Sequence, residues 1–140
     1  MSLTRRNALA LGSASFVVTL VPLNAFAATD ETMAAIKSFT GGSAVSEGGI
    51  SLTTPEIAEN GNTVPIQFSA SGAKRVMILA DGNPTPGVGT FNFGELSDAS
   101  GSTRIRLAGT QNVIALAEMA DGSFAQVAKT VKVTIGGCGG

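Results

Sequence analysis

The chain has 140 residues, with 9 Lys plus Arg, 10 Asp plus Glu, one Cys, and no His, Trp or Tyr, for a formal net charge of −1. Without His there is no Ser/His/Asp or Cys/His catalytic set and no His-bearing zinc site, and one Cys supplies neither a Cys₄ cluster nor an internal disulfide. The near-neutral charge argues against a phosphate-backbone binder, which needs clustered Lys and Arg, so no nucleic-acid partner is expected. With 44% apolar residues and 18 Gly, the chain is expected to form one domain with a modest core and to do chemistry only through carboxylates, backbone groups or its thiol.

Arg5 and Arg6 precede a stretch from Asn7 to Thr29 without a charged residue. Basic residues before an apolar run make an export signal. Interruption of the run by Gly12, Ser13, Ser15, Thr19, Pro22 and Asn24 suits a twin-arginine signal better than a membrane span. Ala8 stands where that pattern usually has Phe, so general secretory export stays open. Ala25-Phe26-Ala27 is a small-x-small cleavage site. The expected organisation is a signal over residues 1–27, a domain over 28–135 and an arm over 136–140. Cleavage removes Arg5 and Arg6 and leaves a more acidic protein in a periplasm-like compartment, where a lone free thiol is unusual.

The mature part opens on a helix start, with Thr29 or Asp30 as cap and acidic residues in the first turn. Met33, Ile36 and Phe39 have the spacing of a short amphipathic helix, which Gly41-Gly42 ends. Beyond it the period changes to two. Strands are expected over 50–53, 64–69, 76–80, 90–93, 104–107, 113–119, 124–128 and 130–135. Turn signals separate them at Asn60-Gly61, Ser71-Gly72, Asp81-Gly82, Ser100-Gly101 and Asp121-Gly122. Such spacing predicts an all-β, immunoglobulin-like antiparallel β-sandwich with a short N-terminal helix, lacking the Cys-Trp-Cys core of antibody domains.

Two strands are apolar on both faces: Val76-Met77-Ile78-Leu79-Ala80 and Val113-Ile114-Ala115-Leu116-Ala117. One face belongs to the core. The other needs a cover, either the N-terminal segment or a second protein, and a partner is expected because a short helix covers only part of such a face. The acidic residues Glu56, Glu59, Asp81, Glu118 and Asp121 do not form an expected catalytic or metal-binding set. Asp81 and Asp121 precede Gly in turns, and Glu56 and Glu59 lie in a loop, so local hydrogen bonding and solvation account for them.

The chain finishes Gly136-Gly137-Cys138-Gly139-Gly140. Four glycines bury no side chain and lose much entropy on ordering, so a flexible arm is expected, with Cys138 on the order of 10 Å beyond Ile135. A backbone without side chains threads a narrow channel. Thiol attack needs the thiolate, yet there is no His to deprotonate Cys138, no preceding helix N-terminus, and the terminal carboxylate disfavours a second negative charge. The arm therefore reads as a tether that presents a covalent adduct to separate enzymes, with no catalytic residue, metal or cofactor of its own. An adventitious thiol or a dimer-clamping disulfide is the bland reading, which the symmetric Gly-Gly-Cys-Gly-Gly setting disfavours. A lipoprotein does not fit because the Cys is far from the signal, and prenylation does not fit the two residues that follow it.

These residues resemble the SoxY family of sulfur carriers. The resemblance rests on Phe39-Thr40-Gly41-Gly42, the stretch from Pro55 to Pro65, Gly82-Asn83-Pro84-Thr85-Pro86, Thr103-Arg104-Ile105-Arg106-Leu107, Thr110-Gln111-Asn112-Val113, Ala117-Glu118-Met119 with Asp121-Gly122-Ser123, and above all the terminal motif. It implies a periplasmic sandwich paired with a second subunit, SoxZ, and Cys138 as the carrier thiol of thiosulfate oxidation. A haem enzyme would join thiosulfate oxidatively to Cys138, a hydrolase would release sulfate, and a sulfane dehydrogenase would oxidise the sulfur left behind. The connection at residues 69–73 is shorter than the family pattern. Two alternatives stand beside this reading: a carrier whose Gly139-Gly140 carboxylate becomes a thiocarboxylate, against which the export signal argues, and an exported sandwich that binds partners at strand edges.

Overall fold

A computed structural model of the chain describes residues 29–136. The expected export signal with its cleavage site, and Gly137, Cys138, Gly139 and Gly140 of the arm, lie outside the described residues. Thr29 caps helix α1 (Asp30–Thr40), its side-chain oxygen accepting from the Thr32 amide at 3.2 Å. Asp30 and Glu31 in the first turn and Lys37 in the last suit the helix dipole. Gly41 ends the helix at φ +64°, a left-handed conformation that a side chain disfavours.

Among the described residues nine strands follow: β1 (Val45–Glu47), β2 (Ser51–Thr53), β3 (Ile57–Ala58), β4 (Val64–Ser69), β5 (Ala73–Ala80), β6 (Gly87–Asn92), β7 (Ser100–Ile105), β8 (Gln111–Met119) and β9 (Phe124–Val133). The larger sheet has the order β1-β9-β8-β5-β6, with β3 also pairing to β9, and the smaller has the order β2-β4-β7. The long pairings are antiparallel, whereas β1 and β3 each run parallel to β9. Alternation puts Val64, Ile66 and Phe68 of β4 inward against Val76, Ile78 and Ala80 of β5 and Val113, Ala115 and Ala117 of β8. All of them are buried.

The outer face of the larger sheet corrects the expectation of an external cover. Leu79, Ile114 and Leu116 pack with Phe39 and Phe124, flanked by Ala35 and Ile36 of α1 and Val45 of β1. Leu79 and Leu116 are fully buried. Phe39 meets Phe124 edge-on, with ring centroids 6.0 Å apart, and the Arg75 guanidinium lies 4.4 Å from the centroid of the Phe39 ring. The chain thus covers this face with its own helix.

Other expectations change in detail. Met33 is 56% exposed, and Thr32 takes the buried side of α1. The Thr32 hydroxyl is satisfied by Thr29 Oγ1 at 2.9 Å, so its burial leaves no polar group unpaired and Met33 turns outward. The strands expected over 124–128 and 130–135 are one continuous β9, because Lys129 and Thr130 keep their register against β8. Ser100-Gly101 lies inside β7, opposite Ser69 and Phe68 of β4. A Cβ on Gly101 would come within 2.6 Å of the Phe68 ring, so this glycine admits the ring across the strand pair and makes no turn.

Candidate functional site

Of the arm, the structure describes Gly136, so the site is built from the surface that leads to it. At and just past the end of β9 the chain stays bonded to the segment around β3: the Lys132 amide donates to Glu56 O (2.9 Å), the Thr134 amide to Ala58 O (3.0 Å), and the Gly61 amide to Ile135 O (2.8 Å). Gly61 O in turn accepts from the Leu107 amide at 2.8 Å. The Asn60-Gly61 turn therefore ties the end of β7 to the root of the arm. On the other side, Thr110 Oγ1 accepts from the Val133 amide at 2.9 Å.

Gly136 meets the β7–β8 connection directly. A Cβ there would lie 2.5 Å from the Ala108 carbonyl oxygen, so only glycine fits this approach. Ala108 is held from behind. Its amide donates to Asn83 Oδ1 (2.9 Å), and Asn83 Nδ2 donates to Arg106 O (2.8 Å). Gln111, which is buried, donates from Nε2 to Asn83 Oδ1 (2.9 Å) and to Gly109 O (3.0 Å), while its Oε1 accepts from the Gly82 amide (2.8 Å). Three stretches far apart in sequence converge here: 56–61, 82–83 and 106–111. In the sequence they read as turn and strand signals and as stretches that carry the resemblance stated above, and nothing in them showed that they meet. A polar Gln before an apolar strand is the signal that could have pointed to a buried network, since such an amide needs partners once buried.

The acidic residues are distributed differently. Asp81 accepts from the Asn112 amide (2.9 Å) and from Asn112 Nδ2 (3.0 Å), Glu118 pairs with Arg75, and Asp121 accepts from the Ser123 amide (2.9 Å) and hydroxyl (2.6 Å). These bonds place each carboxylate in its own turn or ion pair. Ser123 holds the Asp121 carboxyl below its ordinary pKa, the hydroxyl contributing most and the amide next. Among the described residues no group of three or more His, Cys, Asp or Glu is placed to hold a metal ion, and no helix is long and apolar enough to cross a membrane.

Comparison with known proteins adds to this geometry. The family described as "Sulfur oxidation protein SoxY" matches residues 36–138. The solved structure of the sulfur carrier protein SoxY from Chlorobium limicola f thiosulfatophilum is 31% identical, covers 75% of this chain and 97% of that one, and superposes with a TM-score of 0.68. Superoxide reductase (neelaredoxin) from Ignicoccus hospitalis aligns at 12% identity over 61% of this chain and 80% of its own, with a TM-score of 0.55, a likeness of fold alone. No curated protein matches the sequence.

Proposed function

The chain belongs to the SoxY family of sulfur oxidation proteins, and from that premise we propose that it is a sulfur carrier whose Cys138 thiol holds the intermediates of thiosulfate oxidation. The observation that carries this reading is the family match running to residue 138 itself, over a chain whose one cysteine stands there. Residues Gly136, Gly137, Gly139 and Gly140 supply a narrow backbone on which that thiol is presented.

The chemistry divides between carrier and partners. Oxidative joining of thiosulfate forms a sulfur–sulfur bond to Cys138, releases the thiol proton and passes an electron pair to a haem enzyme. Hydrolysis then releases sulfate and leaves a persulfide on Cys138. A sulfane dehydrogenase removes electrons from the outer sulfur as water supplies its oxygens, and a last hydrolysis frees sulfate and restores the thiol. The carrier contributes the attachment point and the reach. Its partners contribute the redox centres and the activation of the thiol, for which this chain has no His.

The same reading places the protein in the periplasm, exported on the signal over residues 1–27 and paired with a SoxZ subunit. The test is a reconstituted thiosulfate-oxidising system. Cys138→Ser abolishes thiosulfate-dependent electron flow and leaves the melting temperature unchanged; electron flow retained by the variant contradicts the proposal.

A further inference from the structure

The carrier reading treats all five terminal residues as one tether, but Gly136 is in a different situation from a free chain. Its Cα sits where a Cβ would strike the Ala108 carbonyl at 2.5 Å, and the preceding residue is bonded through its own carbonyl to the Gly61 amide at 2.8 Å. The root is thus set between Gly61 on one side and Ala108 on the other.

Neither neighbour is loose. Gly61 is buried and bonded through its carbonyl to Leu107, itself fully buried. Ala108 belongs to a connection that Asn83 bridges from both ends, accepting from the Ala108 amide and donating to Arg106 O. Gln111 locks Asn83 in place by donating to the same Oδ1, and it is 6% exposed with both ends of its amide satisfied. The buried Gln111 amide holds one arrangement, because any alternative leaves a polar group unpaired, and it thereby orients the half-buried Asn83 beside it.

We propose that Asn83 and Gln111 are positioning residues for the carrier thiol: by fixing the Ala108 carbonyl they make Gly136 a stationary pivot from which the arm departs. This inference rests on the carrier reading for its purpose. A pivot at Gly136 shortens the tether. Two extended steps keep the Cys138 Cα within about 7 Å of the pivot, against about 10 Å for a chain free from Ile135 onward. A shorter tether with a fixed origin concentrates the thiol in the volume that a docked enzyme's channel occupies, which favours insertion over wandering. Gly136 then differs in role from the glycines around Cys138. Its lack of a side chain serves a close approach at the domain surface.

Backbone ¹⁵N relaxation on the intact protein reads the pivot directly. The Gly136 amide is expected at an order parameter near about 0.85, the value of rigid backbone, and in Asn83→Leu, Gln111→Leu or Gly136→Ala residue 136 falls below about 0.6 while β8 and β9 keep their values. Asn83→Asp retains the Oδ1 acceptor for Ala108 and Gln111 but loses the donation to Arg106 O, and falls between wild type and Asn83→Leu. Gly136→Ala alters no buried side chain, so it reports on the pivot even if the polar variants fold poorly. In reconstituted turnover the loosened variants lose kcat, while alkylation of Cys138 by a small reagent proceeds at the wild-type rate. A wild-type order parameter below about 0.6 at Gly136, or one that Gly136→Ala leaves unchanged, overturns the pivot. Absence of sulfur adducts on Cys138 overturns the carrier reading and leaves the order parameters as they are.

Discussion

Gly136 and Gly101 are identical in composition and opposite in what a sequence suggests about them. One stands in a glycine-rich terminus and the other beside a serine, yet both are glycine because another group occupies the space of a Cβ. Asp121 shows the same local logic for a charge. Ser123 holds its pKa below the ordinary 3.8, so the folded state favours the carboxylate. The stabilisation is fully present above the unfolded value and is lost as the pH falls through the lower folded one. Ser123→Ala removes the strongest of these bonds, and the Asp121 carboxyl, followed by NMR titration, is expected to move up toward 3.8 while staying below it because the Ser123 amide remains. A titration identical to wild type contradicts this assignment.

Helix α1 is the element whose role the sequence left most open. Its caps were legible: Thr29, the acidic first turn and Gly41 all act as expected. Its buried face was legible in part: Ile36 and Phe39 pack against the sheet as their spacing suggests, whereas Met33 turns outward and Thr32, counted as polar until its hydroxyl is seen to find Thr29, is buried. Once placed, the helix explains why β5 and β8 are apolar on both sides, since Phe39 and Ile36 close over Leu79 and Leu116. Phe39→Ala is expected to cost about 3 to 5 kcal/mol in urea unfolding, the range for emptying a buried aromatic site, and to expose apolar surface that promotes self-association. A loss below about 1 kcal/mol with a monomeric variant would show that α1 is dispensable to the core.

At the scale of the molecule, β4 and the end of β9 were readable from alternation, and β5 and β8 as continuous apolar runs between turn signals. The two short strands β1 and β3 were not, because two or three residues carry no period and their parallel partner β9 lies far away in sequence. That omission hid the site's construction. The root of the arm is bonded to β3 and to the turn after it and passes the connection that Asn83 and Gln111 brace, all long-range contacts that no local pattern encodes. What sequence alone did supply was the position of the thiol at the end of a chain without His. On the proposed carrier reading, the sandwich presents one thiol and leaves its activation to other proteins. The most direct measurement is intact-mass and peptide-mapping spectrometry of the protein isolated from its host during growth on thiosulfate. Sulfur-containing adducts confined to the C-terminal peptide and absent from Cys138→Ser are the expected result; an unmodified Cys138 under those conditions, or an adduct on the Gly140 carboxylate instead, would contradict the carrier role of this thiol.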